Sequence, residues 1–100
     1  MIIKVSEDAK KAIEHVVELE KILNPQVSVY GVPDENDEIQ YEMLLVNGIP
    51  HEDDTVFKFE KFVVSLNATY NLTMIGTYLI DFNEYPYSAF SIEKISEENN

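Results

Sequence analysis

The sequence predicts an α+β domain: mostly antiparallel small sheets packed by one long N-terminal helix, with a short second helix late in the chain. Three observations carry this. Apolar residues recur at helical spacing over one long stretch only, near the start. After Pro25 the apolar period changes to two and stays there. The resulting strands follow one another through short turns, and short turns join antiparallel neighbours. A chain of 100 residues, 45% of them hydrophobic, has enough material for one core. A single domain is therefore expected over residues 1–95, with residues 96–100 a polar tail that frays.

Ile2 to Val5 is a β-branched run and reads as the first strand. Ser6 then offers a capping hydroxyl, and Glu7 and Asp8 place negative charge in the first helical turn. Ala9, Ala12, Ile13, Val16, Val17, Glu20 and Leu23, all but Glu20 apolar, fall on one face of a helix predicted over residues 7–23, with Lys10, Lys11, Glu14, Glu18 and Lys21 opposite. Asn24-Pro25 is its expected stop. Val27–Tyr30 reads as a strand broken by Gly31 and Pro33. Ile39, Tyr41, Met43 and Leu45 alternate with polar residues, a strand with one buried face. Asn47-Gly48 marks a turn. Two strands over 55–60 and 62–66 join tightly near Glu60-Lys61. Asn67 is placed to cap a short helical turn through Leu72. Tyr78, Ile80 and Phe82 define another strand, and Phe90 and Ile92 the last.

Composition excludes several chemistries. The chain has no cysteine, and its seven basic residues are all lysine. Thiol nucleophiles, thiolate metal sites, disulfides and bidentate guanidinium contacts to phosphate are absent from it. Nineteen acids against seven lysines give a net charge of −12, which repels nucleic acid and anionic membranes. Eight of those acids lie between Asp34 and Asp54, a stretch without lysine, so a local negative field is expected. No apolar run reaches the roughly 18 residues of a membrane span, and the N-terminus has no signal-peptide pattern. A cytoplasmic location is expected, and the sequons at Asn67 and Asn71 are then chance matches.

Few motifs suggest chemistry. His51-Glu52-Asp53-Asp54 sets an imidazole beside three carboxylates and is the candidate for weak metal binding, although adjacent residues point in different directions. Asp34 to Glu38 resembles a calcium loop only in its oxygens, since Ile39 and Leu45 occupy the places that need Gly and Glu. His15 on the helix reads as a surface residue. No serine lies in a nucleophile elbow, and three glycines form neither a phosphate loop nor a dinucleotide fingerprint. Carboxylates are plentiful, but a small sheet offers no evident cleft for a glycosidase-like pair. No catalytic residue is assigned, and none is expected. Tyr85-Pro86-Tyr87, before the last strand, is a candidate edge for a partner subunit.

The order of elements resembles the A-type iron–sulfur carrier family, whose domain is called HesB-like. Residues 3–13 look like that family's first strand and helix start, and residues 53–65 like its central hairpin. Tyr70-Asn71-Leu72 stands where the family has an aromatic-leucine segment, while residues 77–81 and 89–92 look like its closing strands. The resemblance implies a HesB-like half-barrel or sandwich, and a homodimer. The family's iron-binding members use three cysteines, one in a Cys-Ser-Gly-x-x-Tyr stretch and two in a Cys-Gly-Cys-Gly-x-Ser-Phe stretch. Setting Tyr41 on the first motif puts Asn36 at its cysteine, and setting Phe90 on the second puts Glu84 and Pro86 at the others. None supplies thiolate. The expectation is a non-enzymatic, cofactor-free, cysteine-less relative that acts through protein contacts, with Tyr85 and Tyr87 at the surface. Weak carboxylate/His metal binding and a small enzyme with an unrecognised carboxylate pair are the alternatives.

Overall fold

A computed structural model describes residues 1–71 and 74–98. The chain divides into two compact units, Met1–Lys21 with Met74–Asn100, and Ile22–Thr73. Neither crossing carries a shift in composition that would mark it in the sequence.

In the first unit, β1 (Ile2–Val5) leads into α1 (Glu7–Leu19). Ser6 caps that helix: its hydroxyl accepts from the Ala9 N–H at 3.1 Å. β6 (Thr77–Asn83) pairs parallel with β1 and antiparallel with β7 (Ala89–Ser96), giving the order β1-β6-β7. Ala9 and Ile13 of α1 are buried, as are Ile3, Val5, Met74, Tyr78 and Ile80. Gly76 has φ +104°, and a Cβ there would collide with the Ser96 carbonyl oxygen, so only glycine fits this approach to the sheet.

The second unit holds β2 (Pro25–Pro33), β3 (Ile39–Asn47), β4 (Thr55–Lys58), β5 (Val63–Leu66) and the short α2 (Ala68–Asn71), with sheet order β3-β2-β5-β4. Val27, Val29, Phe62, Val64 and Leu66 are buried here. Ser65 donates to Gln26 Oε1 at 2.5 Å, which satisfies two polar side chains inside the sheet. Tyr41, Met43 and Leu45 are half-buried and alternate with the exposed Gln40, Glu42 and Leu44, whereas Ile39, expected on the same buried face, is 40% exposed at the strand's start. Asn67 Oδ1 accepts from Thr69 N–H at 2.8 Å at the start of α2.

Two expectations need correction. The helix ends at Leu19 rather than residue 23: Lys21 adopts φ 54°, and Leu23 is 85% exposed. Asn24 N–H instead donates to Asn47 Oδ1 at 3.0 Å, and its carbonyl accepts from Gly48 N–H at 2.9 Å, so strand pairing captures the segment that amphipathic spacing assigned to the helix. Gly31 does not break β2, because β3 matches it residue by residue from Pro25↔Asn47 to Pro33↔Ile39. The expected antiparallel pairing predominates, in β2–β3, β4–β5 and β6–β7, while β1–β6 and β2–β5 run parallel. Glu97 and Glu98 make contacts with β6 and β7. Thr77 Oγ1 donates to the Glu98 carbonyl at 2.7 Å, and Lys94 pairs with Glu97 at 2.7 Å. Leu72, Asn99 and Asn100 lie outside the described residues.

Candidate functional site

The first unit carries a groove of 660 Å³ between α1 and the end of the β6–β7 hairpin. Its walls are positioned by the helix cap. Ser6 Oγ donates to Asp81 Oδ1 at 2.6 Å, and the same oxygen accepts from the Phe82 N–H at 2.8 Å. Ser6 N–H donates to the Ile80 carbonyl at 2.9 Å, which fixes the helix start to β6. These bonds, that from Ser6 first, hold the Asp81 carboxyl below the usual carboxylate range.

One wall is α1, with Ala12 and Val16 half-buried between the exposed Lys11 and His15. The other is Phe82 and Phe90, cross-strand partners with ring centroids 4.8 Å apart and tilted by 53°. Asn83, Glu84 and Tyr85 close one end, and Asp8 joins the rim from the first helical turn. Among the described residues Asp8, Lys11 and Glu84 make no ion pair, whereas Lys10 pairs with Glu7 at 3.3 Å. Tyr85 and Tyr87 are 89% and 73% exposed. Of the groove lining, the sequence singles out Glu84 and Tyr85 as site positions; His15 reads as a surface residue, and Phe82 and Phe90 only as strand residues. The signal was present: a hairpin centred on Tyr85-Pro86-Tyr87 pairs Phe82 with Phe90.

The other singled-out residues lie elsewhere. Asn36 belongs to the β2–β3 loop of the second unit, whereas Glu84 and Pro86 are on the β6–β7 loop of the first; all three are exposed. Asn36 contributes its backbone N–H, which donates to Asp34 Oδ1 at 2.8 Å. That oxygen also accepts from the Glu38 N–H at 3.0 Å, and Gln40 Nε2 donates to Oδ2 at 3.2 Å. The two backbone donors are the main reason the Asp34 carboxyl titrates below its ordinary range. His51 to Asp54 form an exposed turn in which Asp54 Oδ2 accepts from the His51 N–H at 3.1 Å and Asp54 N–H donates to the His51 carbonyl at 3.0 Å. Asp54 thus spends its carboxylate on the turn. Among the described residues no three His, Asp or Glu side chains converge as a metal site would require.

No protein-family model matches the sequence, and no curated protein matches it. The fold does have solved counterparts. Escherichia coli SufA, involved in biosynthesis of iron–sulfur clusters, aligns over 99% of this chain and 87% of its own, with a TM-score of 0.73 and 16% identity. A protein from Aquifex aeolicus solved by NMR aligns over 95% and 93%, with a TM-score of 0.68 and 24% identity. IscA, solved with a [2Fe-2S] cluster, aligns over 93% and 82%, with a TM-score of 0.69 and 16% identity. Iron–sulfur clusters are held chiefly by cysteine thiolates, and the amide of Asn36, the carboxylate of Glu84 and the donor-free ring of Pro86 do not fit that chemistry. The chain has the α+β fold of SufA and IscA, without a single cysteine.

Proposed function

We propose that this protein is a non-catalytic, cysteine-less relative of the iron–sulfur carriers that acts through protein contacts in the cytoplasm. The observation that supports it best is the coincidence of a near-complete structural match to SufA with a chain that contains no thiolate donor. A scaffold that keeps its shape without cluster ligands retains surfaces, and Tyr85 and Tyr87 are large aromatic side chains left in solvent on one loop. No described helix is long and apolar enough to cross a membrane.

Two measurements test the reading. Protein incubated anaerobically with ferrous iron and sulfide, then desalted, should retain no visible absorbance, whereas a thiolate-bearing carrier treated in parallel should be coloured. A stoichiometric cluster band would overturn the proposal. A photo-crosslinking residue placed at Tyr85 in the native cell should trap a component of cluster assembly that the same probe at exposed Glu52 does not. Trapping at neither position would remove the contact role.

A further inference from the structure

We propose that the groove between α1 and the β6–β7 hairpin binds a peptide segment of a partner protein, one that presents a large aromatic or aliphatic anchor flanked by lysine or arginine. This rests on the protein-contact role proposed above and gives it a location and a chemistry.

The volume comes first. At 660 Å³ the groove lies within the range of sites that enclose one ligand group, ample for an indole or phenol ring with its adjoining backbone. Its lining suits such an anchor: Ala12 and Val16 leave space on the helix side, and the tilted Phe82–Phe90 pair offers ring faces and edges opposite. Tyr85, 89% exposed at the end of the groove, can close over an inserted side chain and bury surface it now shows to water.

Charge selects the flanks. Asp8 and Glu84 are exposed carboxylates on the rim with no ion pair among the described residues, and they lie in a chain of net charge −12. That field steers cations toward the groove and repels acidic segments. It also disfavours a second copy of this chain, which would bring the same −12. Lys11 on the same rim sets a limit, since a long unbroken run of cations would meet it. One or two cations beside an anchor fit better.

The test uses isotope-labelled full-length protein and three capped tripeptides: Lys-Trp-Lys, Glu-Trp-Glu and Lys-Ala-Lys. Lys-Trp-Lys should produce saturable shifts of the Ala12, Val16, Phe82 and Phe90 amides. Glu-Trp-Glu should bind at least about threefold more weakly, the scale of exposed charge pairs. Lys-Ala-Lys should leave those amides unmoved. Glu84→Gln, on an exposed loop, should lower Lys-Trp-Lys affinity while leaving the rest of the spectrum in place, and Ala12→Arg should block the groove. Equal binding of the two tryptophan peptides, or shifts elsewhere, would overturn the proposal. So would indole alone binding as tightly as the peptide, which would mark a small-molecule pocket. Concentration-dependent shifts at the same amides without peptide would mark a second copy as the occupant, with the same consequence. Failure here with no cluster retained defeats the groove alone; a retained cluster with the peptide bound defeats the wider reading and spares the groove.

Discussion

The β2–β3 and β6–β7 loops, one in each unit, bear the positions that the family resemblance sets against ligand cysteines, yet they are built in opposite ways. In residues 34–38 the acidic side chain that begins the loop is consumed by the loop: Asp34 accepts two backbone N–H groups and the Gln40 amide. Asp37 takes the left-handed conformation at φ 60°, which Asp tolerates because its short polar side chain can bond locally. In residues 84–88 no described residue makes such a bond, and the loop gives its two tyrosines and Glu84 to solvent. Acidity in the first loop shapes the backbone. The second loop is held from below, by the strands it joins.

That contrast can be broken most forcefully under the open loop. Ile80, fully buried in β6, should cost about 2–5 kcal/mol on replacement by alanine, read by urea denaturation. A loss under about 1 kcal/mol would show that β6 is not what anchors the hairpin. Ser6→Ala should cost about 0.5–2 kcal/mol through the lost helix cap, and it should also move the Phe82 and Phe90 amide resonances, because it removes the hydroxyl's bond to Asp81 while the backbone bond to Ile80 remains. An unchanged midpoint would mean the cap does not position the groove.

Asp34→Ala should have a smaller effect, since its loop is exposed, and here pH supplies the sharper readout. The folded Asp34 carboxyl titrates below its ordinary range, so its stabilisation is complete above the unfolded pKa and is lost as pH falls through the folded one. The advantage of the native residue over alanine should therefore be full at neutral pH and vanish in acid; an advantage that persisted in strong acid would contradict the loop's mechanism. Smallest of all, Tyr85→Ser and Tyr87→Ser should each stay within about 0.5 kcal/mol in thermal unfolding, as exposed side chains do. A large loss from either would mean the open loop is internally packed after all.

Local rules made much of this legible. Ser6 as cap, the alternation of Tyr41, Met43 and Leu45, the tight turn after Lys58 and the pairing of β6 with β7 all follow from residues close in sequence, where a capping hydroxyl or a period of two has one reading. The exposed Tyr85 and Tyr87 were likewise within reach. What escaped was non-local. Nothing near Ile2 announces that it will run parallel to Thr77, and nothing near Gln26 names Val63 as its neighbour.

The sequence by itself determined the α+β alternation, the absence of thiolate and the strongly negative charge, because periodicity and composition are properties of the chain before it folds. Tertiary structure decided the end of α1, the mixed sheets and the groove. Helix continuation past Leu19 gains only a few tenths of a kcal/mol per residue, and the hydrogen bonds that Asn24 makes to Asn47 and Gly48 outweigh it. A groove between Ala12 and Phe82 exists only once residues 70 positions apart are brought together by burial.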